Sequence, residues 1–263
     1  MSLRRFFQRL SGNKSTEALG NETDRKEWLR KKYYDYWNYN DFENEDVDLI
    51  FSVLDYTMTS PERMSALLTT IEHIVENDIS GDIIECGVWR GGSMMLIAKK
   101  LVAIGLTDRN LYLYDTFEGM TKPDRIDVSY DNTPAINTYN ETYISEETSS
   151  WCMSSFEEVY ENMLSTGYPK EKIFLVKGKV EDTLQPDKHK SISLLRLDTD
   201  WYSSTLHELN CLYDKISTSG ILLIDDYGHW KGARKAVDDY FLMKQIRKPF
   251  LHRVDYSCRL IIK

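Results

Sequence analysis

Short apolar runs recur between residues 82 and 224, separated by polar or amphipathic stretches. They are rich in leucine, isoleucine and tyrosine, are bounded by polar residues or glycine, and cover residues 82–86, 111–115, 172–178, 194–197 and 221–224. Such runs predict buried strands of a parallel sheet. After the fourth run, helical spacing of Leu206, Leu209, Leu212, Tyr213 and Ile216 predicts the crossover between two parallel strands. The pattern predicts a doubly wound, Rossmann-like α/β sheet.

Further elements are predicted on both sides of these strands. Ser60 and Pro61 predict a helix start, with serine as the N-cap and proline at the first helical position, and apolar spacing continues to Ile74. Near the C-terminus, residues 250–255 and 259–263 predict an antiparallel strand pair at the edge of the sheet. The sheet is therefore expected to carry helices before its first strand and an antiparallel C-terminal edge.

Length and polarity predict one large domain with an N-terminal extension. With 263 residues and 41% hydrophobic content, residues 56–263 can form a single core, and residues 1–55 a tail and a helical arm. The arm is aromatic-rich (Trp28, Tyr33, Tyr34, Tyr36, Trp37, Tyr39), which suggests local packing or a homo-oligomer interface. Residues 119–155 are too long and polar for an ordinary connection, and we expect a lid or substrate loop there.

Charge and cysteine content exclude several classes of function. A net charge of -9 argues against nucleic acid as a partner. No apolar run is long enough to span a bilayer, and residues 1–10 lack the apolar segment of a signal peptide, so we expect a cytoplasmic protein without a membrane partner. The four cysteines form no CxxC pair, which argues against zinc or disulfides, and Cys86 and Cys211 are expected in the core.

Acidic residues follow the fourth and fifth predicted strands. Asp198 and Asp200 come after one strand, and Asp225 and Asp226 after the other. Parallel α/β sheets bind ligands beyond the carboxyl ends of their strands, so these carboxylates are expected in one crevice. Carboxylates brought together favour a hard cation such as Mg²⁺, Mn²⁺ or Ca²⁺. The alternative is that Asp198 and Asp200 cap the next helix and the second pair begins an ordinary loop.

A glycine-rich turn, residues 87–93, follows the first predicted strand and leads into a helix over residues 94–104. The turn departs from the G-x-G-x-x-G fingerprint, and no P-loop lysine follows it, so NAD and ATP are weakly supported. A carboxylate at the end of the second strand, Asp115, can accept both hydroxyls of a ribose. A ligand with ribose but no phosphate, such as S-adenosylmethionine, fits better. The alternative for the turn is tight packing of helix on strand.

Several segments in this order resemble the TylF family, the macrocin-type O-methyltransferases. The similarity spans about residues 56–241 and rests on segments 56–60, 81–93, 115–119, 176–184, 198–202, 225–228 and 232–237. It implies a class I methyltransferase sheet that uses S-adenosylmethionine and Mg²⁺ to methylate sugar hydroxyls on small molecules. The chain departs from the family pattern at Ser203, where glutamate is usual.

The resemblance also implies roles for individual residues. Asp198, Asp225 and Asp226 would hold Mg²⁺, and Asp198 would also be the general base. The implied cofactor-binding residues are Met58, Ser60, Glu85, Cys86, Gly87, Gly92, Ser93, Asp115, Glu181 and Asp182. His229 is a less favoured base. Alternatives for the whole chain are a methyltransferase for catechol-type diols, a non-catalytic module that binds S-adenosylmethionine, and a dehydrogenase, which the glycine spacing disfavours.

Overall fold

The computed structural model describes residues 43–263, except for the side chain of Asn44. The predictions for the tail and most of the aromatic arm lie outside this range. Within it, the strands are β1 Asp82–Cys86, β2 Leu111–Asp115, β3 Ile173–Lys177, β4 Ile192–Leu197, β5 Ile216–Ile224, β6 His252–Arg253 and β7 Arg259–Ile262. The α-helices are α1 Asn44–Phe51, α2 Pro61–Glu76, α3 Gly92–Ala103, α4 Ala135–Glu141, α5 Phe156–Leu164, α6 Val180–Thr183, α7 Tyr202–Leu212 and α8 Lys231–Met243.

These strands form one sheet in the order β3-β2-β1-β4-β5-β7-β6. Strands β1 to β5 are parallel, whereas β7 runs antiparallel to both β5 and β6. The doubly wound sheet and its antiparallel C-terminal edge are confirmed. Because the order reverses between β1 and β4, the carboxyl ends of these two strands border the crevice where such sheets bind ligands.

Alternation along each strand sends side chains to two helical layers. Ile83 of β1 packs with residues of α2 and α3, whereas Ile84 packs with residues of α7 and α8. The predicted start of α2 is confirmed: Ser60 is its N-cap, and its hydroxyl accepts the N–H of Arg63 at 3.3 Å. Ile50, at the end of α1, is fully buried in the α2 and α3 layer. The packed core thus extends across the 55/56 boundary drawn from the sequence.

Residues 119–155 are anchored at the carboxyl edge of the sheet. Trp151 of this segment packs against Trp201 and Trp230, with ring centroids 5.6 and 6.0 Å away, and those two rings are 5.2 Å apart. The indole N–H of Trp201 donates to the backbone oxygen of Thr121 at 3.1 Å. The segment therefore contacts the loops after β4 and β5, and a role as a lid or substrate loop stays a prediction.

Among residues 43–263, no helix is both long and apolar enough to cross a bilayer. The free thiols of Cys86 and Cys211 are buried in the layer between the sheet and α7, as the sequence predicted.

Candidate active site

The carboxyl ends of β4 and β5 bring three aspartates together. Asp198 follows β4, and Asp225 and Asp226 follow β5, its parallel neighbour. One carboxylate oxygen of each side chain lies within 4.8 Å of the other two. Asp225 and Asp226 are buried, and Asp198 is half-buried. The residues predicted to hold a metal therefore form one cluster of hard oxygen donors.

Asp200 lies beside this aspartate cluster. Its backbone N–H donates to Asp226 Oδ2 at 3.2 Å, and the indole N–H of Trp230 donates to Asp200 Oδ1 at 2.5 Å. Burial and the neighbouring Asp198 raise the pKa of Asp200 to about 8. Burial also raises the pKa of Asp226 well above its usual range, and Asp200 contributes to that rise. Without a cation, carboxyl groups packed in this way retain protons.

Two arginines place positive charge against the cluster. Arg196, in β4, has Nη1 2.7 Å from Asp198 Oδ2 and Nη2 2.7 Å from Asp225 Oδ1. Arg63, in α2, donates from Nη1 to Asp225 and from Nε to Asp255 Oδ2 at 2.8 Å. Burial acts to raise the pKa of Asp225, but Arg196 and Arg63 outweigh it and hold that pKa below its usual range. For Asp198, burial and Asp225 outweigh Arg196 and raise the pKa.

The start of α7 decides against the helix-cap alternative for Asp198 and Asp200. The N-cap residue of this helix is Trp201. The first helical N–H, that of Tyr202, donates to Asp127 Oδ1 at 2.9 Å, so a residue of the 119–155 segment satisfies it. Neither Asp198 nor Asp200 is the N-cap.

The predicted cofactor turn, the glycine-rich residues 87–93 after β1, adjoins both Asp198 of the aspartate cluster and Asp115. Gly87 has φ +81°, and a Cβ there would lie 2.0 Å from the backbone oxygen of Asp198. Asp115 Oδ2 accepts the N–H groups of Val88 at 2.6 Å and Trp89 at 3.1 Å. The end of β1, the end of β2 and the backbone of Asp198 therefore meet at one turn.

Four other predicted cofactor residues lie at or beside this turn. Glu85 is 2% exposed and accepts from Arg196 Nη1 at 2.6 Å. Cys86 is fully buried among apolar side chains. Gly92 and Ser93 form the buried first turn of α3. Of these groups, Glu85 provides a charged atom close to the aspartate cluster.

The remaining predicted cofactor residues lie at two separate places. Met58 is 37% exposed before α2, and the Ser60 hydroxyl donates to Asp255 Oδ2 at 3.1 Å. Glu181 and Asp182 are both exposed in α6, after β3. Asp182 lines a cleft of about 250 Å³ with residues that follow β2 and β3. Asp182, one of the implied cofactor-binding residues, thus borders a cleft at the carboxyl ends of β2 and β3.

Sequence reasoning missed Arg196 and Arg63 as parts of the site. Arg196 stands inside the apolar run Leu194–Leu197, and an arginine in a buried strand requires a charged partner. That rule could have singled out Arg196. Nothing comparable distinguishes Arg63, which looks like an ordinary charge in the first turn of α2. Ser203, the departure from the family pattern, is exposed on α7.

Glu208 of α7 is buried close to the site and is expected to make stability depend on pH. Its Oε1 accepts the hydroxyl of Thr199 at 2.9 Å, while Oε2 has no hydrogen-bond partner among the described residues. Burial raises the pKa of Glu208 well above its usual range. The folded protein therefore retains a proton that the unfolded chain releases above about pH 4.3. Stability should fall as pH rises from there toward the folded-state pKa.

We expect Glu208→Gln to remove this penalty. Its gain in unfolding free energy over the wild type should grow with pH above about 4.3, by up to about 1.4 kcal/mol per pH unit within the window. Urea unfolding of both proteins at pH 4.5, 6 and 7.5, in EDTA, measures the difference. A difference that does not change with pH would contradict this account.

Comparisons with known proteins identify the family. The family model described as macrocin-O-methyltransferase (TylF) matches residues 17–262. The chain belongs to this family. It is 30% identical over 185 residues to demethyldecarbamoylnovobiocin O-methyltransferase of Streptomyces niveus, covering 70% of this chain and 67% of that protein. It is 27% identical over 190 residues to mycinamicin III 3''-O-methyltransferase of Micromonospora griseorubida, covering 72% of each.

A solved structure agrees with this membership. The O-methyltransferase NovP superposes with a TM-score of 0.67 at 27% identity, over 79% of this chain and 82% of that one. This TylF family member is therefore an O-methyltransferase with the fold of S-adenosylmethionine-dependent enzymes. The sequence-based predictions of family, fold and enzyme class are confirmed.

Proposed function

We propose that this chain is a Mg²⁺-dependent O-methyltransferase that transfers a methyl group from S-adenosylmethionine to a sugar hydroxyl of a secondary metabolite or surface glycan. The observation that carries the proposal is the cluster of Asp198, Asp225 and Asp226, whose ligand atoms lie within 4.8 Å of one another. This cluster adjoins Gly87 in the predicted cofactor turn.

The aspartate cluster fits a hard divalent cation in charge and donor type. Carboxylate oxygens are the ligands that Mg²⁺ prefers, and burial together with the neighbouring carboxylates raises the pKa values of Asp198 and Asp226, against the opposing effects of Arg196 and Arg63. Asp198, Asp225 and Asp226 would hold the ion. When bound, it supplies Lewis acidity that lowers the pKa of a nearby hydroxyl.

The turn after β1 fits the amino-acid end of S-adenosylmethionine. Glu85 Oε2 is buried and has no hydrogen-bond partner among residues 43–263, and a buried acceptor of this kind favours a ligand that donates to it. Burial raises the pKa of Glu85 to about 7, against the opposing effect of Arg196. Asp115 at the end of β2 would receive the ribose, and the cleft beside Asp182 the adenine.

Asp198 is the proposed general base. It lies beside the turn after β1, and one of its carboxylate oxygens is within 4.8 Å of the ligand atoms of Asp225 and Asp226, so it can accept a proton from a hydroxyl bound there. It would accept the proton of the acceptor hydroxyl as that oxygen attacks the methyl carbon and the methyl–sulfur bond breaks. His229 is a weaker alternative, because burial and Arg63 lower its pKa to about 4.

The proposed acceptor class, sugar hydroxyls, is based on the names of the relatives. One of them is named for methylation of a sugar position in mycinamicin III, and another for a 4'-O-methylation on a dimethoxyrhamnosyl tetracenomycin. An acceptor panel should therefore place simple glycosides beside catechol. Transfer to glycosides supports the proposal, whereas transfer to catechol alone would assign a diol methyltransferase.

Cofactor and metal binding can be tested without knowing the acceptor. We expect S-adenosylmethionine to bind with micromolar affinity in calorimetry, both with Mg²⁺ and with EDTA, because Glu85 and Asp115, its proposed contacts, are not among the three proposed metal ligands. The Asp225→Ala/Asp226→Ala variant should lose direct Mg²⁺ binding, since two of the three carboxylates are removed. Its cofactor affinity should change little.

Two outcomes of the titrations and the acceptor panel would count against the proposal. Cofactor binding without Mg²⁺-dependent transfer to any acceptor would favour a non-catalytic binding module. No cofactor binding under any condition would remove the proposal.

A further inference from the structure

Arg196 is a buried cation at the centre of the site. It is 3% exposed and extends from β4, which lies between β1 and β5 in the sheet. A guanidinium stays protonated at all working pH values. Three carboxylates, those of Glu85, Asp198 and Asp225, lie within 2.7 Å of its nitrogens.

The partners of Arg196 come from three adjacent strands. Nη1 lies 2.6 Å from Glu85 Oε1, at the end of β1, and 2.7 Å from Asp198 Oδ2, after β4. Nη2 lies 2.7 Å from Asp225 Oδ1, after β5, and 3.2 Å from the hydroxyl of Thr59. One planar group thus contacts the proposed base, a proposed metal ligand and the carboxylate of the cofactor turn.

Arg63 does not duplicate this arrangement. It contacts Asp225 and Asp255, and its guanidinium carbon lies 5.7 Å from the centroid of the Tyr256 ring. Its carboxylate contacts are therefore on the α2 and β7 side of the crevice. Of the two arginines, Arg196 connects the cofactor turn to Asp198.

The geometry of a guanidinium explains why arginine, and not lysine, suits this place. Its N–H groups lie in one plane in fixed directions, so two nitrogens can hold several carboxylates at set angles. A lysine ammonium would retain the charge but contact fewer of these oxygens at once. A carboxylate held by a neighbouring donor keeps its orientation toward a metal, and losing such a donor commonly weakens metal binding by about 10–100-fold.

We infer that Arg196 is a positioning residue that fixes Asp198 and Asp225 in the orientation needed for the metal and the base, and ties them to Glu85 on the cofactor turn. This inference rests on the proposed function. It assigns to the protein a permanent internal cation that orders the site before any metal arrives.

The test compares Arg196→Lys with the wild type and with Arg234→Lys. Arg234 is a matched control because it is 63% exposed on α8, its contact with Asp238 is long at 3.9 Å, and its guanidinium otherwise lies over the ring of Tyr227. Mn²⁺ binding is measured by electron paramagnetic resonance, S-adenosylmethionine binding by calorimetry, and folding by thermal unfolding. We expect R196K to bind Mn²⁺ about 10–100-fold more weakly per folded molecule, with R234K at the wild-type value.

Kinetic constants and a crystal structure of the variant distinguish a positioning residue from one that only stabilises the fold. On an acceptor that the panel identifies, R196K should lower kcat while the KM for S-adenosylmethionine stays within about threefold, because the displaced group is the base. Crystals of R196K without metal should show Asp198 or Asp225 turned from its wild-type orientation. If R196K does not fold, Glu85→Gln replaces it, and Mn²⁺ affinity should again fall, since Arg196 loses one tether.

The outcomes separate this inference from the proposed function. If wild-type protein binds Mn²⁺ and cofactor and R196K matches it in Mn²⁺ affinity and carboxylate orientation, the inference is overturned and the proposed function stands. If wild-type protein binds no Mn²⁺ but R196K still turns the carboxylates, the metal part of the proposed function fails and the positioning role is retained. Unchanged Mn²⁺ affinity in E85Q would likewise refute the inference that Glu85 helps to hold Arg196 in position.

Discussion

Replacing Asp198 by asparagine is expected to lower kcat by about 10²–10⁴-fold, the usual contribution of a general base. The amide keeps the size of the side chain but cannot accept the proton of the acceptor hydroxyl. Because Glu85 and Asp115 remain in place, affinity for S-adenosylmethionine should be close to that of the wild type. Steady-state kinetics, with cofactor calorimetry on the same preparation, measures both quantities.

The same variant also removes a proposed metal ligand, so its Mn²⁺ affinity must be measured beside its activity. A loss of kcat that persists at saturating Mn²⁺ assigns the loss to the missing base. Asp187→Asn is the matched control, because the Asp187 side chain is fully exposed and its contact with Lys215 is long, at 3.7 Å. Retention of most wild-type activity by Asp198→Asn would overturn the assignment of the base.

The second large effect is expected at Gly87. Gly87→Ala places a methyl group 2.0 Å from the backbone oxygen of Asp198, at a φ of +81° that side chains rarely adopt. The left-handed backbone costs about 1–2 kcal/mol, and the overlap about 1–3 kcal/mol more. We expect a loss of about 2–5 kcal/mol in unfolding free energy, and a further loss of turnover because the backbone of Asp198, the proposed base, must shift.

Gly105→Ala separates the cost of the left-handed backbone from the cost of the steric overlap. Gly105 follows α3 with φ +73°, and no atom of the described residues lies within 4 Å of where its Cβ would be. That variant should lose about 1–2 kcal/mol from backbone strain alone and keep wild-type kcat. Urea unfolding and kinetics of both variants give the comparison. Equal losses of unfolding free energy and of kcat in the two variants would mean that the close approach of Gly87 to Asp198 affects neither stability nor turnover.

Local sequence determined the strands because their signals are local. The runs at Asp82–Cys86 and Leu111–Asp115 are apolar over the length of a buried strand and end at a glycine or a carboxylate, so the structure has them at the predicted bounds. The start of α2 was equally clear, since serine and proline act on neighbouring N–H groups. Less periodic elements such as α4 and α5, in or after the long polar stretch, were not predicted.

For the site, the acidic residues could be identified from the sequence. The rule that ligands bind beyond the carboxyl ends of parallel strands predicted that these residues lie in one crevice. Asp198, Asp225 and Asp226, the three residues predicted to hold a metal, do lie close together. The roles of the individual cofactor residues, the use of Mg²⁺ and the oligomeric arm stay predictions. The family resemblance was needed to choose among ligands, because a glycine turn and a carboxylate suit several cofactors.

What the sequence alone determined is the order of the parallel strands along the chain, the family, and which carboxylates follow which strand, because each depends on neighbours in the chain or on repeated motifs. The tertiary structure decided which charges meet. Arg63 lies 162 residues from Asp225 along the chain, and Arg196 lies 111 from Glu85, yet both pairs are in contact. Such pairing depends on strand register and helix placement across the whole sheet, and no local pattern encodes it.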